Sequence, residues 1–347
     1  MKIAIILPSL ASKGPILIAY YLIKELAEII HFEVYYFDNI VELDFPCKTE
    51  KISFFKRINF NDFDIVHSHQ LRPDAYIFFH KRYIPKSCKT LSTIHQEIFK
   101  DLKYSYNIII SKVFGLIWFK FISKINHIVV LTQFTKNELL KYNQNVDIVH
   151  NGIPKHKIYE PIDTLDVELI KSLKTEYKII GVSALLIKRK GIDQILYSLV
   201  NLPEFGLVCL GDGPEKDKLI QLAKKLKIDH RCIFLGYRKD GFRYFIFFDI
   251  YVISSYSEGF PISSIEAAAA KLPMVCSSIP VLKEIYSDIE VCFFKLNNTK
   301  SLIKAIEQCY LKRDILSNNI YIKYENNLSS TIMANNYLSI YKKLIIL

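Results

Sequence analysis

The sequence has little of what defines small stapled scaffolds. Its 347 residues include one Trp, three Met, eleven Gly and twelve Pro. The seven cysteines, at 47, 88, 209, 232, 276, 292 and 309, lie far apart, with no C-x-x-C pair and no histidines at zinc-ligand spacing. That scatter argues against a disulfide framework or a structural metal and fits a reducing cytoplasm. Long hydrophobic runs are missing too. The most apolar region, 106–131, is interrupted by Lys112, Lys120, Lys124 and His127, so no stretch reaches the roughly 18 uninterrupted apolar residues of a spanning helix. The opening apolar run at 3–7, closed by Pro8, is too short for a signal-peptide core and reads as a buried strand. No G-x-G-x-x-G follows it, which weighs against a Rossmann dehydrogenase. No basic stripe with stacking aromatics marks a nucleic-acid surface.

What is present is a large apolar fraction. Half of the residues are apolar, 13% are aromatic and 23% are charged, which excludes fibrous and disordered classes and leaves room for sizeable cores. The length exceeds one ordinary domain, so two are expected. Short apolar runs alternate with segments of helical period, the pattern of parallel α/β sheets. Strands are predicted at 2–7, 33–37, 64–67, 90–94, 127–131 and 146–149, with helices such as 15–30 and 133–142 between them. A Gly-Pro pair marks the start of the first of these helices. The pattern restarts with strands at 178–184, 207–210, 232–235, 250–253 and 274–276. Between the two series lies a polar stretch, 155–177, with Pro161 and five acidic residues, the best linker candidate. The tail, 329–347, carries Ile332, Met333, Tyr337, Leu338, Tyr341 and Leu344 on one helix face.

The richest segment chemically is 254–269. Glu258 and Glu266 stand eight residues apart across a Gly-x-Pro turn, the first before a helix and the second inside it. A helix starting near Pro261 turns its unpaired N–H groups and positive dipole end toward whatever Glu258 faces. An anion site beside an acceptor for hydroxyls suits a sugar bearing a phosphate.

Five ordered blocks then carry a resemblance that spans essentially the whole chain. Glu258 to Glu266 resembles the E-x7-E signature of retaining glycosyltransferases. Gly211-Asp212-Gly213-Pro214-Glu215 resembles the G-D-G-P-E turn, and Phe234-Leu235-Gly236-Tyr237 the F-L-G-aromatic segment, of glycosyltransferase family 4. Val149-His150-Asn151-Gly152-Ile153 resembles that family's interdomain hinge, and Lys188-Arg189-Lys190-Gly191-Ile192-Asp193 its phosphate-binding segment. The resemblance, to members of the bacterial surface-polysaccharide type, implies the GT-B fold: two Rossmann-like α/β/α domains facing a central cleft. The expected division is an acceptor-binding domain at 1–154, a linker at 155–177 and a nucleotide-sugar domain at 178–328, with the helix 329–347 packing back on the first domain.

The same resemblance assigns expected roles. Lys190 would neutralise the leaving diphosphate, aided by exclusion of water. The family's Arg five residues earlier is Leu185 here, so either Lys188 or Arg189 substitutes, or activity is weak. Glu266 would bind the donor's ribose hydroxyls, and Glu258 would sit near the transferred sugar. The backbone of Phe260, Ile262 and Ser263 would face sugar and phosphate at the helix start, and Gly211 and Tyr237 would belong to the donor pocket. Gly14 falls where the family has a Gly-rich loop, although a plain helix-start turn explains it equally. His95 resembles the first-domain His that meets the transferred sugar. His67 and His69 share a strand face without a third metal ligand at suitable spacing, and Asp62-Phe63-Asp64 is read as coincidence. Two further departures concern the donor loops: Ala270-Lys271-Leu272-Pro273 and the segment 278–284 lack glycines that the family favours.

The formal charge of +11 divides unevenly: residues 1–158 hold 21 Lys and Arg against 14 Asp and Glu. With Phe114, Leu116, Ile117, Trp118, Phe119 and Phe121 near Lys112, Lys120 and Lys124, the first half would suit docking on an anionic membrane. An ordinary buried helix with snorkelling lysines accounts for the same residues. The expectation is therefore a cytoplasmic, peripheral retaining hexosyl- or N-acetylhexosaminyl-transferase. It would use a UDP- or GDP-linked nucleotide sugar as co-substrate, a glycan or lipid-linked acceptor, and neither cofactor, metal nor nucleic acid. A nucleotide-sugar epimerase of the same fold, or a catalytically impaired glycan- or nucleotide-binding partner, are the alternatives.

Overall fold

A parallel sheet buried on both faces needs strands that are apolar throughout rather than alternately, and the opening strand meets that need. Ile3, Ala4, Ile5, Ile6 and Leu7 are all fully buried. The computed structural model describes residues 1–95, 108–155 and 163–346. These fall into two units, Met1–Pro154 with Asn327–Leu347, and Lys155–Asn326.

In the first unit the described strands are β1 (Lys2–Leu7), β2 (His31–Tyr36), β3 (Lys48–Lys51), β4 (Ile65–His69), β5 (Lys89–Ile94), β6 (His127–Val130) and β7 (Val146–Ile148). They form one sheet in the order β3-β2-β1-β4-β5-β6-β7, parallel throughout. The reversal of direction between β1 and β4 is the switch point at which doubly wound sheets bind ligands, beyond the carboxyl ends of the strands. Described helices are α1 (Gly14–Leu26), α2 (Leu71–His80), α3 (Ile108–Ile122), α4 (Gln133–Leu139) and the C-terminal helix Ser330–Ile346. That last helix joins α1 through Ser330, which donates to Glu25. Ile153 and Ser329 pair as a parallel bridge, and a Cβ on Gly152 would lie 2.2 Å from the Ser329 carbonyl oxygen. Only glycine fits that crossing.

The second unit repeats the plan. Strands β8 (Lys178–Ser183), β9 (Phe205–Leu210), β10 (Cys232–Gly236), β11 (Ile250–Ile253), β12 (Met274–Ser277) and β13 (Val291–Phe294) order as β10-β9-β8-β11-β12-β13, with the switch point between β8 and β11. Helices α5 (Thr164–Glu176), α6 (Ile192–Leu199), α7 (Lys216–Lys225), α8 (Ile262–Ala269), α9 (Pro280–Ile285), α10 (Thr299–Leu311) and α11 (Arg313–Lys323) accompany them. A core of Ile180, Leu207, Val252, Val275 and Ile306, all essentially unexposed, lies between sheet and helices.

Three sequence expectations need correction. The stretch read as a linker carries α5 over most of its described part. Asp163 caps that helix by accepting from the N–H groups of Leu165 and Asp166, while Val167, Ile170 and Leu173 turn inward. Its acidic residues concealed a three-residue apolar stripe, and residues 156–162 lie outside the described ones. The first helix ends at Leu26 rather than 30: the N–H groups of Ile29 and Ile30 both close on the Leu26 carbonyl, in a turn that leads into β2. Strands β3 and β13 were not anticipated. β3 is Lys-Thr-Glu-Lys at a sheet edge, where one-sided pairing removes the need for an apolar run.

α2, α3 and β4 are tied together by one buried carboxyl. Ser68 Oγ donates to Asp74 at 2.6 Å and Trp118 Nε1 donates to it at 2.7 Å. Burial outweighs those bonds and pushes the Asp74 carboxyl up to about 6. Asp74→Ala would leave the Trp118 N–H unmet inside the core and Ser68 with only its longer bond to the Leu91 carbonyl, 3.2 Å. It is expected to lower stability by about 2–4 kcal/mol, read as a lower urea midpoint with an unchanged slope.

Candidate active site

In the second unit the loops after β8 and β11 flank the switch point, and hydrogen bonds join them. Tyr256 N donates to the Arg189 carbonyl at 2.8 Å. Ser254 Oγ donates to the Lys190 carbonyl at 2.9 Å, and Gln194 Nε2 to the Ser254 carbonyl at 2.9 Å. Gly191 makes this approach possible. Its φ of +61° is left-handed, and a Cβ there would fall 2.4 Å from the Ser254 carbonyl oxygen, so both the torsion and the space call for glycine.

The joined loops place charge against charge. Lys190 Nζ donates to Glu258 Oε1 at 2.6 Å, and Ser255 Oγ donates to the same oxygen at 2.5 Å. Arg189 NH1 lies 3.8 Å from Glu258 Oε2 and donates to the Ser257 carbonyl at 2.9 Å. Glu258 is buried, with 5% of its surface exposed. Burial alone would raise its carboxyl, but the charges of Lys190 and Arg189 and the bonds from Lys190 and Ser255 together hold it below the usual carboxylate range. Lys188, one residue further out, is exposed, as is Leu185 at 59%.

Glu266, on α8 and eight residues after Glu258, is treated differently. It is partly buried, and its side chain has no hydrogen-bond or ion-pair partner among the described residues. Burial, with the charge of Asp240, pushes its carboxyl up to about 7. α8 begins after Pro261, whose carbonyl accepts from Ser264 Oγ at 2.7 Å. Phe260 is buried, while Ile262 and Ser263 are partly exposed on the first turn, where helix N–H groups lack intrahelical partners.

Gly211 serves the frame of this site. Its φ is +123°, and a Cβ would sit 1.8 Å from the Ala184 carbonyl oxygen, so the G-D-G-P-E turn lies directly on the loop after β8. Leu186 N donates to the Asp212 carbonyl at 2.8 Å and Glu215 N to the Leu186 carbonyl at 3.0 Å. Tyr237, after β10, is 68% exposed.

Two expected site residues belong to the first unit. Gly14 opens α1 ahead of Pro15, and its φ is not among the positive ones, so nothing in the backbone there demands glycine. His95 follows β5, is buried, and shares its Nε2 with His69 Nδ1 at 2.8 Å. His67 has both ring nitrogens engaged by the hydroxyls of Tyr341 and Thr93. No group of three or more potential metal ligands occurs among the described residues. Sequence reasoning missed Ser255, Gln194 and the pairing of His69 with His95. Only the last left a signal, the shared strand face of His67 and His69.

Residues 168–326 match the family described as Glycosyl transferases group 1, and residues 25–157 match Glycosyltransferase Family 4. The chain belongs to the family 4 glycosyltransferases. An Escherichia coli relative, O-antigen biosynthesis glycosyltransferase WclY, is 28% identical over 99% of both chains. Among solved structures, sucrose-phosphate synthase from Thermosynechococcus elongatus is similar with a TM-score of 0.81 at 15% identity, covering 99% of each chain. Anabaena Alr3699/HepE, solved with UDP and glucose, is similar with a TM-score of 0.80 at 14% identity, covering 99% of this chain and 100% of that one. The two parallel doubly wound sheets are thus those of the GT-B fold.

The unpaired Glu266 side chain gives a pH test of the electrostatics described above. Between the ordinary carboxyl value of 4.5 and about 7, the folded protein holds a proton that the unfolded chain has lost, so this group's contribution to stability falls as pH rises through that window. Glu266→Gln is expected to match wild type near pH 4 and to exceed it at pH 8 by on the order of 2 kcal/mol. Urea midpoints at the two pH values check it; an equal offset at both would contradict the raised carboxyl.

Proposed function

We propose that the chain is a retaining transferase that moves a hexosyl or N-acetylhexosaminyl group from a UDP- or GDP-linked donor to a glycan or lipid-linked glycan acceptor in cell-surface polysaccharide synthesis. The observation that carries this reading is the part-buried Lys190–Glu258 pair, with Arg189 alongside, at the switch point of the second unit. The O-antigen role of the E. coli relative supports the pathway, and HepE, solved also with UDP-glucose, supports a nucleotide-sugar donor.

In the transfer, the bond from the anomeric carbon to the diphosphate oxygen breaks and the acceptor hydroxyl oxygen bonds to that carbon. The hydroxyl proton leaves with the nucleoside diphosphate. An ammonium has three N–H donors. Glu258 takes one from Lys190, which leaves two for phosphate oxygens. Arg189 supplies the second cation in place of the family Arg absent at Leu185, with Lys188 at the rim. Glu258 balances positive charge that develops on the sugar, Glu266 accepts from ribose hydroxyls, and the start of α8 at Phe260, Ile262 and Ser263 meets the phosphates and sugar. Tyr237 offers an exposed ring to the base, and Gly211 keeps the loop after β8 in place. In the first unit His95 contacts the transferred sugar, and the backbone at Gly14 approaches the donor. The positive charge opposite the diphosphate comes from protein side chains, and no metal or cofactor is assigned a part.

A panel of UDP- and GDP-sugars, scored for nucleoside diphosphate release with and without a membrane extract, tests the reading. Release should require the extract. Lys190→Ala and Glu258→Ala should each lower it by about a hundredfold, the equivalent of one lost transition-state contact of roughly 3 kcal/mol. An epimerised donor without acceptor would indicate an epimerase. Donor binding without release, and cellular glycan unchanged by both substitutions, would indicate a binding partner.

The lipid-linked form of the acceptor is supported by an apolar surface on the first unit. On α3, Trp118, Phe119 and Ile122 are buried, whereas Phe114, Leu116 and Ile117 are 44%, 58% and 42% exposed. Phe121 lies 5.9 Å from Phe79, itself 60% exposed, and a chain of ring contacts continues through Phe54 to Phe55, 87% exposed. Exposed Lys56, Lys120 and Lys124 lie in or next to the same segments. No helix among the described residues is long and apolar enough to cross a membrane, so the contact we propose is peripheral, on the inner face of the cytoplasmic membrane. The protein is expected to float with vesicles of equal parts phosphatidylglycerol and phosphatidylcholine, and not with phosphatidylcholine alone. Leu116→Ser with Ile117→Ser should weaken binding by about tenfold.

A further inference from the structure

The first unit contains a row of imidazoles at the carboxyl ends of two neighbouring strands. β4 and β5 pair with His67 opposite Leu91 and His69 opposite Thr93, so His67, His69, Thr93 and His95 share one sheet face. The rings of His67 and His69 lie 4.3 Å apart, and those of His69 and His95 are stacked at 5.2 Å and 24°. Behind this row stand two tyrosines of the C-terminal helix. The Tyr341 hydroxyl is 2.8 Å from His67 Nδ1. Thr93 Oγ1 is 2.8 Å from His67 Nε2 and 2.9 Å from the Tyr337 hydroxyl. All of these side chains are buried.

His69 is the odd member. Its Nδ1 meets His95 Nε2 at 2.8 Å, while its own Nε2 is buried with no hydrogen-bond partner among the described residues. A buried unmet nitrogen costs about 1–3 kcal/mol, and a leucine or phenylalanine there would avoid that cost. Packing therefore does not account for a histidine at this place, and its one hydrogen bond goes to His95. Burial holds the rings of His67 and His95 down to about 3, and His69 well below its ordinary value, with neighbouring imidazoles adding to the effect on His67 and His69. Each ring is therefore neutral, with one N–H and one lone pair. A hydrogen bond at one nitrogen of such a ring dictates which nitrogen carries the proton.

We propose that His69 is a positioning residue for His95: it fixes that ring's orientation and neutral tautomer, so that Nδ1 is presented to a sugar hydroxyl with one defined hydrogen-bonding character. His67, Thr93, Tyr337 and Tyr341 anchor the row from behind. This rests on the reading of His95 as a sugar contact.

The test uses the full-length protein with 15N-labelled histidine. Long-range 1H–15N spectra should show His95 with one protonated and one bare nitrogen, as two well-separated shifts. His69→Leu should draw these toward averaged values as the tautomers exchange. With the panel donor that gives turnover, kcat should fall about tenfold while the donor KM changes less than twofold. His69→Asn, whose amide reaches the Nδ1 position, should restore both the spectrum and at least half of the turnover. His69→Gln, of the same chemistry but longer reach, should not, and this pair decides the matter even if the leucine variant fails to fold. Unchanged His95 shifts and kcat in the leucine variant, or equal behaviour of Asn and Gln, would overturn the proposal. Full turnover in His95→Ala would overturn it together with the sugar-contact role, while losses in Lys190→Ala and Glu258→Ala would leave the transferase reading standing.

Discussion

A carboxylate with 5% of its surface exposed does not stay ionised unless something nearby is positive, and Lys190 is that partner for Glu258. The backbone around the switch point of the second unit is arranged to bring the two together. The loop after β8 carries the cation, the loop after β11 carries the anion, and each contributes backbone bonds to the other. Gly191 permits the loops to touch, and Gly211 permits the G-D-G-P-E turn to press on the first of them. Replacing such a pair by apolar residues often costs little, whereas removing one partner strands the other. The pair is therefore better understood as a way to hold two charges in fixed positions than as a source of stability.

Fixed charge is what a leaving diphosphate needs. Dipoles and cations that are already oriented need no reorganisation when negative charge appears. In the proposed reaction Glu258 keeps Lys190 extended at the carboxyl ends of the strands until a donor arrives, and the ammonium then serves both anions. Arg189, held by the Ser257 carbonyl, is oriented in the same manner. Glu266 has no such partner, and its carboxyl consequently rises to about 7. It is left available for neutral hydroxyls.

Much of this was legible in the sequence, and the gaps have physical causes. Strands buried on both faces read as plain apolar runs, so β1, β8 and β11 were found within a residue or two. β3 was lost because an edge strand needs no apolar face, and α5 because only Val167, Ile170 and Leu173 mark its inner side. The resemblance of ordered motif blocks to the family carried Lys190, Glu258, Glu266 and Gly211, and the glycines and prolines in those blocks leave signals that do not depend on the rest of the fold. Ser255 and Gln194 left none, because serine and glutamine occur everywhere and only the closed loops give them partners. The two-residue period placed His67 and His69 on one face, but register between β4 and β5 is a property of the assembled sheet. His95 could not be set beside His69 before the strands were paired.

The two units thus solve one problem with different chemistry. Each must bury polar side chains at the carboxyl ends of a parallel sheet, where ligands of doubly wound folds bind. The second unit does so with opposite charges, the first with neutral rings and hydroxyls. The difference follows from the proposed ligands. A diphosphate brings charge, so its site must supply the counter-charge and keep it from collapsing in the empty state. A sugar hydroxyl brings none, and an imidazolium facing it would have to be paid for in desolvation with no anion to offset the cost. A row of imidazoles that stay neutral through burial and mutual repulsion can offer a hydroxyl a directional hydrogen bond at constant charge. Direction then depends on the tautomer, which is why the neighbour of the contacting ring matters as much as the ring itself.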